Sequence, residues 1–290
     1  MTYERGTPTA GHGCRIRDSL SGMYAVTGVS GAVGGAVAAR LAADGHAVRG
    51  LVRNPHRAPA IDGVEIVEAR YEHSETILRA LAGVEAVLMV PIVDGVESTL
   101  AEQSEFVAAA ARADVKHVVY LSFVGADATS PHPWAHDHGE TEELLRGLDV
   151  PATILRSALR TDLFPTLAVD DEVRGPAGEG RIALVATDDL VEAAAAVLVD
   201  HDASDTTYRL TGPEALTLHE ITALSGHRFV PETTAETRAR LGADGAPAAL
   251  VDAWVSTAEA IASNAFAEVS DDLEGLLGRP PTPARDALRS

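Results

Sequence analysis

Residues 23–35, with the sequence MYAVTGVSGAVGG, decide the fold of this chain. A short apolar segment runs into a turn with glycine at every third position, at Gly28, Gly31 and Gly34. An alanine-rich stretch then extends to residue 44, and the glycine after it is placed to end a helix. A second apolar segment, residues 48–53, completes a strand–turn–helix–strand unit. This order is typical of the first unit of a Rossmann-type, dinucleotide-binding fold.

The glycine turn suits a pyrophosphate. Gly28 permits a tight turn, and Gly31 lets the backbone approach a phosphate closely. Gly34 lets the helix pack against the preceding strand. The amino end of that helix adds unpaired N–H groups and a partial positive charge. We therefore expect the phosphates of a dinucleotide to bind along the turn, at Gly28, Ser30, Gly31, Val33 and Gly34.

The end of the second strand indicates which dinucleotide binds. An NAD site usually has Asp or Glu there, because the carboxylate accepts hydrogen bonds from the ribose hydroxyls. This chain has Arg53, with Arg57 close behind and no acidic residue from Arg49 to Ala60. A guanidinium group can pair with a phosphate through two hydrogen bonds, so the pattern favours NADP and its 2′-phosphate. The alternative is that Arg53 is a solvated charge at the end of a strand.

Composition and charge restrict the classes of function. The chain has 290 residues, of which 46% are hydrophobic, and a formal net charge of −20. The negative charge disfavours direct binding to nucleic acid, and no apolar run approaches the ~20 residues that a membrane span needs. The single cysteine, Cys14, fits a reducing cytoplasm. Residues 1–22 lack the apolar core of a signal peptide, and we expect them to form a disordered extension.

Apolar strand-like segments alternate with helix-like segments as far as residue 156. This alternation predicts an α/β fold with a doubly wound parallel sheet and helices on both faces. One predicted helix covers residues 138–148. Beyond residue 156 the pattern loosens, and we expect a loop over residues 161–181. The next predicted helix ends at residue 199, and either of two residues could cap its start, Thr187 or Asp188.

The pattern divides the chain into a dinucleotide-binding domain and a substrate-binding lobe. The domain comprises residues 23–158 and 188–212. The lobe comprises residues 159–187 and 213–290, and it is predicted to be small and mostly helical.

A resemblance to a known family rests on several modest motifs in a specific order. After the glycine turn these are LVR at 51–53, VVYLS at 118–122, HGETE at 138–142, TILR at 153–156, YRLTGP at 208–213 and LGRPP at 277–281. From about Met23 onward the chain resembles the NmrA-like branch of the atypical short-chain dehydrogenases/reductases. Within that branch it is most similar to the bacterial quinone and triphenylmethane dye reductases.

The resemblance implies a seven-stranded Rossmann sheet, NADPH (NADP) bound at the glycine turn and Arg53, and a substrate cleft over the nicotinamide. Pro91, at a strand end, is a further candidate cofactor contact. Relatives usually carry Gly-Asp after the third strand, where the acid meets the adenine. Here the equivalent pair is Ala69-Arg70. The change weakens the expected adenine contact, although Arg70 could stack on the ring.

The catalytic pair of most short-chain dehydrogenases, Tyr-x-x-x-Lys, is missing. The sole lysine, Lys116, has no tyrosine four residues before it. By register with the family's helix, His138 occupies the lysine position and Trp134 the tyrosine position. Ser122 is the counterpart of the serine that binds the carbonyl.

We therefore predict His138, Ser122 and Trp134 as catalytic residues. Where the substrate needs a proton, His138 would donate it with a pKa near the ordinary ~6.5. Trp134 either lines the cleft or closes a loop over the core. The spacing of His132, His136 and His138 gives poor shared geometry for a metal, and we predict none.

The missing pair restricts the substrate. A ketone needs a proton as it takes up hydride, whereas a quinone, an iminium or a conjugated aromatic-type substrate accepts hydride readily and mainly needs orientation. We expect an NADPH-dependent reductase that acts on a flat, aromatic small molecule. We also expect a cytoplasmic location and consider a homodimer possible from the sequence. Two alternatives stay open: an NADP(H)-sensing regulatory protein with a protein partner, and a non-redox enzyme, such as an isomerase or dehydratase, on the same scaffold.

Overall fold

Strands joined by helices organise the chain from residue 22 onward. The computed structural model describes residues 22–71, 74–91, 100–130, 132–200 and 205–289. The predicted disordered extension lies outside these ranges, apart from Gly22. The strands are β1 Met23–Thr27, β2 Ala47–Val52, β3 Val64–Glu68, β4 Val84–Met89, β5 His117–Phe123, β6 Ala152–Ser157, β7 Glu172–Gly175, β8 Arg181–Ile182, β9 Thr207–Leu210, β10 Leu216–Thr217 and β11 Arg228–Pro231. The α-helices are α1 Ala32–Ala43, α2 Ser74–Leu81, α3 Leu100–Arg112, α4 Pro133–Arg146, α5 Thr187–Val199, α6 Leu218–Leu224, α7 Thr234–Ala243, α8 Ala248–Ala262, α9 Asp272–Leu277 and α10 Ala284–Ala287.

Seven strands of the described chain form one parallel sheet in the order β3-β2-β1-β4-β5-β6-β9. Because successive side chains of a strand point to opposite faces, the apolar strands feed two cores. One core lies under α1 and α5, and the other under α2, α3 and α4. The predicted doubly wound α/β fold is confirmed. The strand order reverses between β1 and β4, and ligands bind outside the carboxyl ends of the strands at such a point.

The first turn of α4 differs from the sequence prediction. The helix begins at Pro133, five residues before the predicted start, and His132 is its N-cap. The Nδ1 atom of His132 accepts a hydrogen bond of 3.2 Å from the backbone N–H of Ala135. Histidine is not among the residues that usually cap helices, so the pattern could not reveal this start. His138 therefore lies in the second turn of α4, and Trp134 lies in a helix rather than a loop.

Two further predictions are corrected. The N-cap of α5 is Ala186, and no side chain caps this helix, so neither Thr187 nor Asp188 has the predicted role. The stretch 161–181 is not simply loop. It contains a 3₁₀ helix at Thr161–Leu167, all of β7 and the first residue of β8. β7 pairs with β11 and β8 with β10, so these short strands depend on partners more than 30 residues away.

The carboxyl-terminal helices and the two small sheets cover one side of the central sheet. The larger apolar core is continuous from α1 and α5 into α6 and α8. The division into a dinucleotide-binding domain and a lobe therefore stays a proposal. No helix among the described residues is long and apolar enough to cross a membrane.

Candidate cofactor and active site

The glycine turn joins β1 to α1 at very close range. Gly28 has a positive φ of 64°. A Cβ atom at Gly34 would lie 2.5 Å from the carbonyl oxygen of Gly28 and 2.6 Å from that of Thr27. Only glycine fits there, as the predicted packing of helix on strand requires. The Thr27 hydroxyl accepts the N–H of Val90 at 2.8 Å and donates to its carbonyl at 3.1 Å, which fixes the ends of β1 and β4 together.

The amino end of α1 has no side-chain cap. Its N-cap is Gly31, and no acidic residue lies in the first turn. By contrast, α6 and α7 both begin with complete capping boxes. The first amides of α1 thus have no side-chain acceptor among the described residues and suit an anion. The side chain of Val33 is buried in the core, so only its backbone can serve the predicted contact.

Four predicted cofactor residues line one cavity beside this turn. The cavity has a volume of about 520 Å³, and its lining residues are Ser30, Val52, Arg53, Asn54, Arg57, Ala58 and Arg70. The carboxyl ends of the parallel strands β2 and β3 bring Arg53 and Arg70 to the same edge of the sheet. Nε of Arg70 contacts Oε1 of Glu68 at 2.7 Å. The Arg57 guanidinium is exposed and makes no side-chain contact within the described part of the chain.

Asn54 is a lining residue that the sequence analysis missed. Its side chain accepts the backbone N–H of His56 at 3.0 Å and caps the 3₁₀ turn Pro55–Arg57, which carries Arg57 to the cavity. The Asn-Pro pair is a turn signal that could have revealed it. Three guanidinium groups beside an uncapped helix fit a dinucleotide with a 2′-phosphate. Gly28, Gly31 and Pro91 lie outside this cavity, along the edge where β1 and β4 end, and their contacts stay predictions.

A buried carboxylate fixes α4 to the sheet. Glu142 is fully buried, and it accepts hydrogen bonds from Arg156 at 2.6 Å, Arg146 at 2.7 Å and the Ser122 hydroxyl at 2.6 Å. Burial alone would raise the pKa of Glu142, but the bonds from Arg156 and Ser122 outweigh it and hold the pKa below its ordinary value. Ser122 is itself buried, so the predicted contact with a substrate carbonyl would break its bond to Glu142. In the structure the Ser122 hydroxyl stabilises the buried Glu142, and its predicted contact with a substrate stays a prediction.

His138 lies one turn before Glu142, and its Nδ1 atom is 2.7 Å from the hydroxyl of Tyr120. Burial lowers the pKa of His138 to about 4, against the opposing attraction of Glu142 and Asp137. The imidazole is therefore neutral at pH 7. This corrects the expectation of a proton donor with a pKa near 6.5. Burial also raises the pKa of Tyr120, so its phenol keeps its proton.

Aromatic rings lie near His138 and its neighbour His132. Phe123 ends β5, and its ring centroid lies 6.0 Å from that of His138 and 5.2 Å from that of Phe266. Trp134 is partly buried and meets the ring of His132 edge-on at 5.9 Å. His132 in turn reaches Thr257 of α8 at 3.0 Å. Phe266 follows α8 in a region without periodic pattern, and no sequence signal pointed to it.

The other polar candidates lie apart. His136 contacts the neighbouring Asp137 at 3.4 Å. No group of three metal-ligating side chains comes together within the described ranges. Lys116 pairs with Glu85 at 3.2 Å, just before β5 begins, whereas Tyr120 and Phe123 bring His138 to the other end of that strand. The only lysine is therefore remote from the candidate active site.

Comparison with known proteins identifies the family. Residues 22–230 match the NmrA-like family, to which the chain belongs. A (4-alkanoyl-5-oxo-2,5-dihydrofuran-3-yl)methyl phosphate reductase of Streptomyces griseus is 33% identical to this chain. The match covers 91% of this chain and 96% of the reductase. The triphenylmethane reductase of Citrobacter sp. has a TM-score of 0.82 and 30% identity, over 92% of this chain and 98% of its own. An NADPH-dependent quinone oxidoreductase of Escherichia coli, solved with NADPH, has a TM-score of 0.82 and 28% identity, over 92% of this chain and 99% of its own.

Proposed function

We propose that the chain is an NADPH-dependent reductase that transfers hydride to an electrophilic small molecule, such as a quinone, an iminium or a conjugated aromatic-type compound. The observation that carries the proposal is the cavity beside the uncapped start of α1, which gathers Arg53, Arg57 and Arg70. In a chain with a net charge of −20, a local group of three guanidiniums marks a site for an anion. Bound NADPH supplies the hydride.

The chain's own residues favour NADPH over NADH. The first amides of α1 suit the pyrophosphate, and Arg53 and Arg57 suit the 2′-phosphate. Arg70 stands where relatives place an acid toward the adenine. Its contact with Glu68 holds its guanidinium beside the cavity, where it adds positive charge or stacks on the ring.

The chemistry around His138 supports an intrinsically electrophilic substrate. The sequence has no Tyr-x-x-x-Lys motif, and a neutral histidine is a poor acid at pH 7. A substrate that accepts hydride without prior protonation does not need one. The names of the relatives point the same way. A quinone, a triphenylmethane dye and a furanone whose ring C=C bond is conjugated to two carbonyl groups are all electron-poor. The partly buried rings of Phe123 and Trp134 suit a flat molecule, and the buried Phe266 supports Phe123 from behind.

The test is NADPH oxidation with a panel of quinones and cationic dyes, together with titration of NADPH and NADH. We expect turnover, and an Arg53→Ala variant with a Kd for NADPH raised about 10- to 100-fold, the value of a charge-assisted hydrogen bond. Its affinity for NADH should change little. The matched control is Arg112→Ala, which removes an exposed arginine from α3. Tight NADPH binding without turnover would favour the alternatives of a regulatory sensor or a non-redox enzyme.

A further inference from the structure

Tyr120 is a buried polar residue that the proposed hydride transfer does not use. Its hydroxyl lies between Gln103 of α3, at 3.0 Å from Oε1, and His138 of α4, at 2.7 Å from Nδ1. The Gln103 oxygen can only accept, so the phenol donates its proton there. The nearby Thr141 hydroxyl donates to the carbonyl of Asp137 at 2.8 Å. The Nδ1 atom of His138 must then carry the hydrogen that Tyr120 accepts, because two lone pairs would otherwise face each other at 2.7 Å.

The assignment of donors and acceptors also determines the state of Nε2, the other ring nitrogen of His138. With Nδ1 protonated in a neutral ring, Nε2 of His138 holds a lone pair and acts as an acceptor. Nε2 has no hydrogen-bond partner among the described residues, and the His138 side chain is only partly buried. The ring of His138 therefore has one fixed edge and one open edge.

Strand register places Tyr120, and with it the ring of His138, near the cofactor crevice. Met89 of β4 pairs with Tyr120, and Leu88 pairs with Val26 of β1. Tyr120 is thus level with Thr27, the last residue before the glycine turn. At about 4.8 Å between strands, β5 lies about 10 Å from β1 across the switch point. The amino-terminal half of α4 covers this end of β5, beside the ring of Phe123.

The geometry points to Tyr120 as a positioning residue that presents Nε2 of His138 as a hydrogen-bond acceptor to the substrate. This role of His138 rests on the proposed function. It narrows the substrate class to electrophiles that carry a hydroxyl donor next to a flat conjugated ring. The donor sets the orientation of the ring against Phe123. A site built to accept a hydroxyl disfavours the analogue without one.

The redox step balances without a protein acid. The hydride, which is one proton with two electrons, reduces the quinone to a hydroquinone monoanion. The cofactor is oxidised to NADP⁺. Water supplies the second proton. Nε2 of His138 holds the substrate hydroxyl and gains no proton in the step.

The first test observes the ring nitrogens in the protein without cofactor. ¹⁵N NMR at pH 7 should show His138 protonated on Nδ1 and bare on Nε2, with its signals assigned by their loss in His138→Leu. In Tyr120→Phe the acceptor for Nδ1–H is gone, and we expect the Nε2–H tautomer to gain population. Tyr24→Phe, which removes a different buried phenol at the start of β1, should leave the His138 signals unchanged. A wild-type ring protonated on Nε2 would overturn the proposal.

The second test compares two substrates that differ by one hydroxyl, 2-hydroxymethyl- and 2-methyl-1,4-naphthoquinone. We expect the wild type to prefer the hydroxymethyl compound about 3- to 10-fold in kcat/KM, mainly through KM. The preference should fall to about 1 in Tyr120→Phe and in His138→Leu, and persist in Tyr24→Phe. A preference that survives in both variants, or none in the wild type, would contradict the proposal. If neither quinone is reduced, the proposed function fails, and the NMR result still decides the role of Tyr120.

Discussion

Three arginines reach the cofactor cavity through two local arrangements, a strand end and a 3₁₀ turn. Arg53 directly follows β2, and Arg70 follows β3, whose carboxyl end lies beside that of β2. Arg57 is carried by a 3₁₀ turn that Asn54 caps. Arg53 and Arg57 are placed by residues close to them in the sequence, whereas Arg70 depends on the pairing of β3 with β2. Arg53 and Arg57 could be predicted from the sequence for this reason.

The protonation state of His138 gives a prediction on the pH dependence of activity. Because burial lowers its pKa to about 4, the ring stays neutral from pH 5.5 to 8. We expect kcat/KM with NADPH and a quinone to show no loss that follows an ordinary histidine pKa of ~6.5. A steady-state pH profile checks this. A decline through pH 6.5 that disappears in His138→Leu would show that the ring acts as an imidazolium acid after all.

The same pKa predicts how stability depends on pH. Between about pH 4 and 6.5 the unfolded chain binds a proton at His138 that the folded chain does not. The free energy of unfolding should therefore decrease as the pH falls from 6.5 to 4, with no contribution from this residue above pH 6.5. Urea titrations at pH 5 and 7 measure the change. His138→Leu should lose less stability than the wild type over this interval, and an equal loss would refute the shift.

At the scale of elements, α4 contacts β5 at two points in matching register. Glu142 and His138 are one helical turn apart, about 6 Å, and their partners Ser122 and Tyr120 are two residues apart on β5, about 6.6 Å. The spacings agree closely enough for both contacts to form at once. The position of the candidate catalytic histidine thus depends on the buried Glu142.

Replacement of Glu142 by alanine should destabilise the protein. The change leaves Arg156 without its carboxylate and the Ser122 hydroxyl without an acceptor. Loss of one partner of a buried ion pair typically costs about 3 kcal/mol or more. Urea denaturation measures this cost. Glu143→Ala, at an exposed neighbour on the same helix, should cost less than ~0.5 kcal/mol, and equal effects of the two changes would contradict the account.

Gly139 allows α4 to lie against the loop after β5. A Cβ atom there would be 2.1 Å from the backbone nitrogen of Ala128 and 2.3 Å from the carbonyl carbon of Asp127, so the helix or the loop must move. We expect Gly139→Ala to lower stability by at least ~1–3 kcal/mol and to reduce kcat/KM, because His138 moves with the helix. The control is Gly242→Ala in α7, where a Cβ meets nothing within 4 Å and alanine should stabilise by ~0.5–1 kcal/mol. A fully stable and active Gly139→Ala would be evidence against this packing.

Which elements the sequence predicts depends on where their stabilisation comes from. Central strands of the sheet, such as β4 and β5, carry apolar runs, and the turn after β1 has its glycines, so both are evident from local residues. The strands β7 and β8 are short and form only through distant partners. The roles of Ser122 and His138 depend on Glu142 and Tyr120, which other elements bring to them. The sequence predicted that these two residues matter, but burial and pairing, which it does not display, set their chemistry.

At the scale of the whole molecule, ion pairs and hydrogen bonds join the carboxyl-terminal segment to helix α5. Arg279 follows α9 and contacts the buried Asp189 of α5 at 2.8 Å and Glu192 at 2.6 Å. The Thr282 hydroxyl also donates to Asp189, at 3.0 Å. The LGRPP motif thus has a structural role, since Arg279 neutralises the buried carboxylate of Asp189.

Replacement of Arg279 by alanine should weaken this attachment. Asp189 would keep Thr282 but lose its countercharge, at a cost of about 1–3 kcal/mol. The melting temperature should fall by several degrees, and thermal unfolding followed by circular dichroism measures it. Arg285→Ala, at an exposed arginine in the same segment, should leave it unchanged. An unchanged melting temperature for Arg279→Ala would show that the attachment adds nothing to stability.

The measurement that tests the central claim most directly follows the hydride itself. NADPH with deuterium at both C4 positions is mixed with the protein and a cationic triphenylmethane dye, whose central carbon retains the hydrogen isotope it receives. Mass spectrometry of the leuco product should show one deuterium per dye, with transfer reduced in Arg53→Ala and normal in Arg112→Ala. Bound NADPH that stays unoxidised, with the dye recovered unlabelled, would contradict the assignment of this chain as a reductase of electrophilic small molecules.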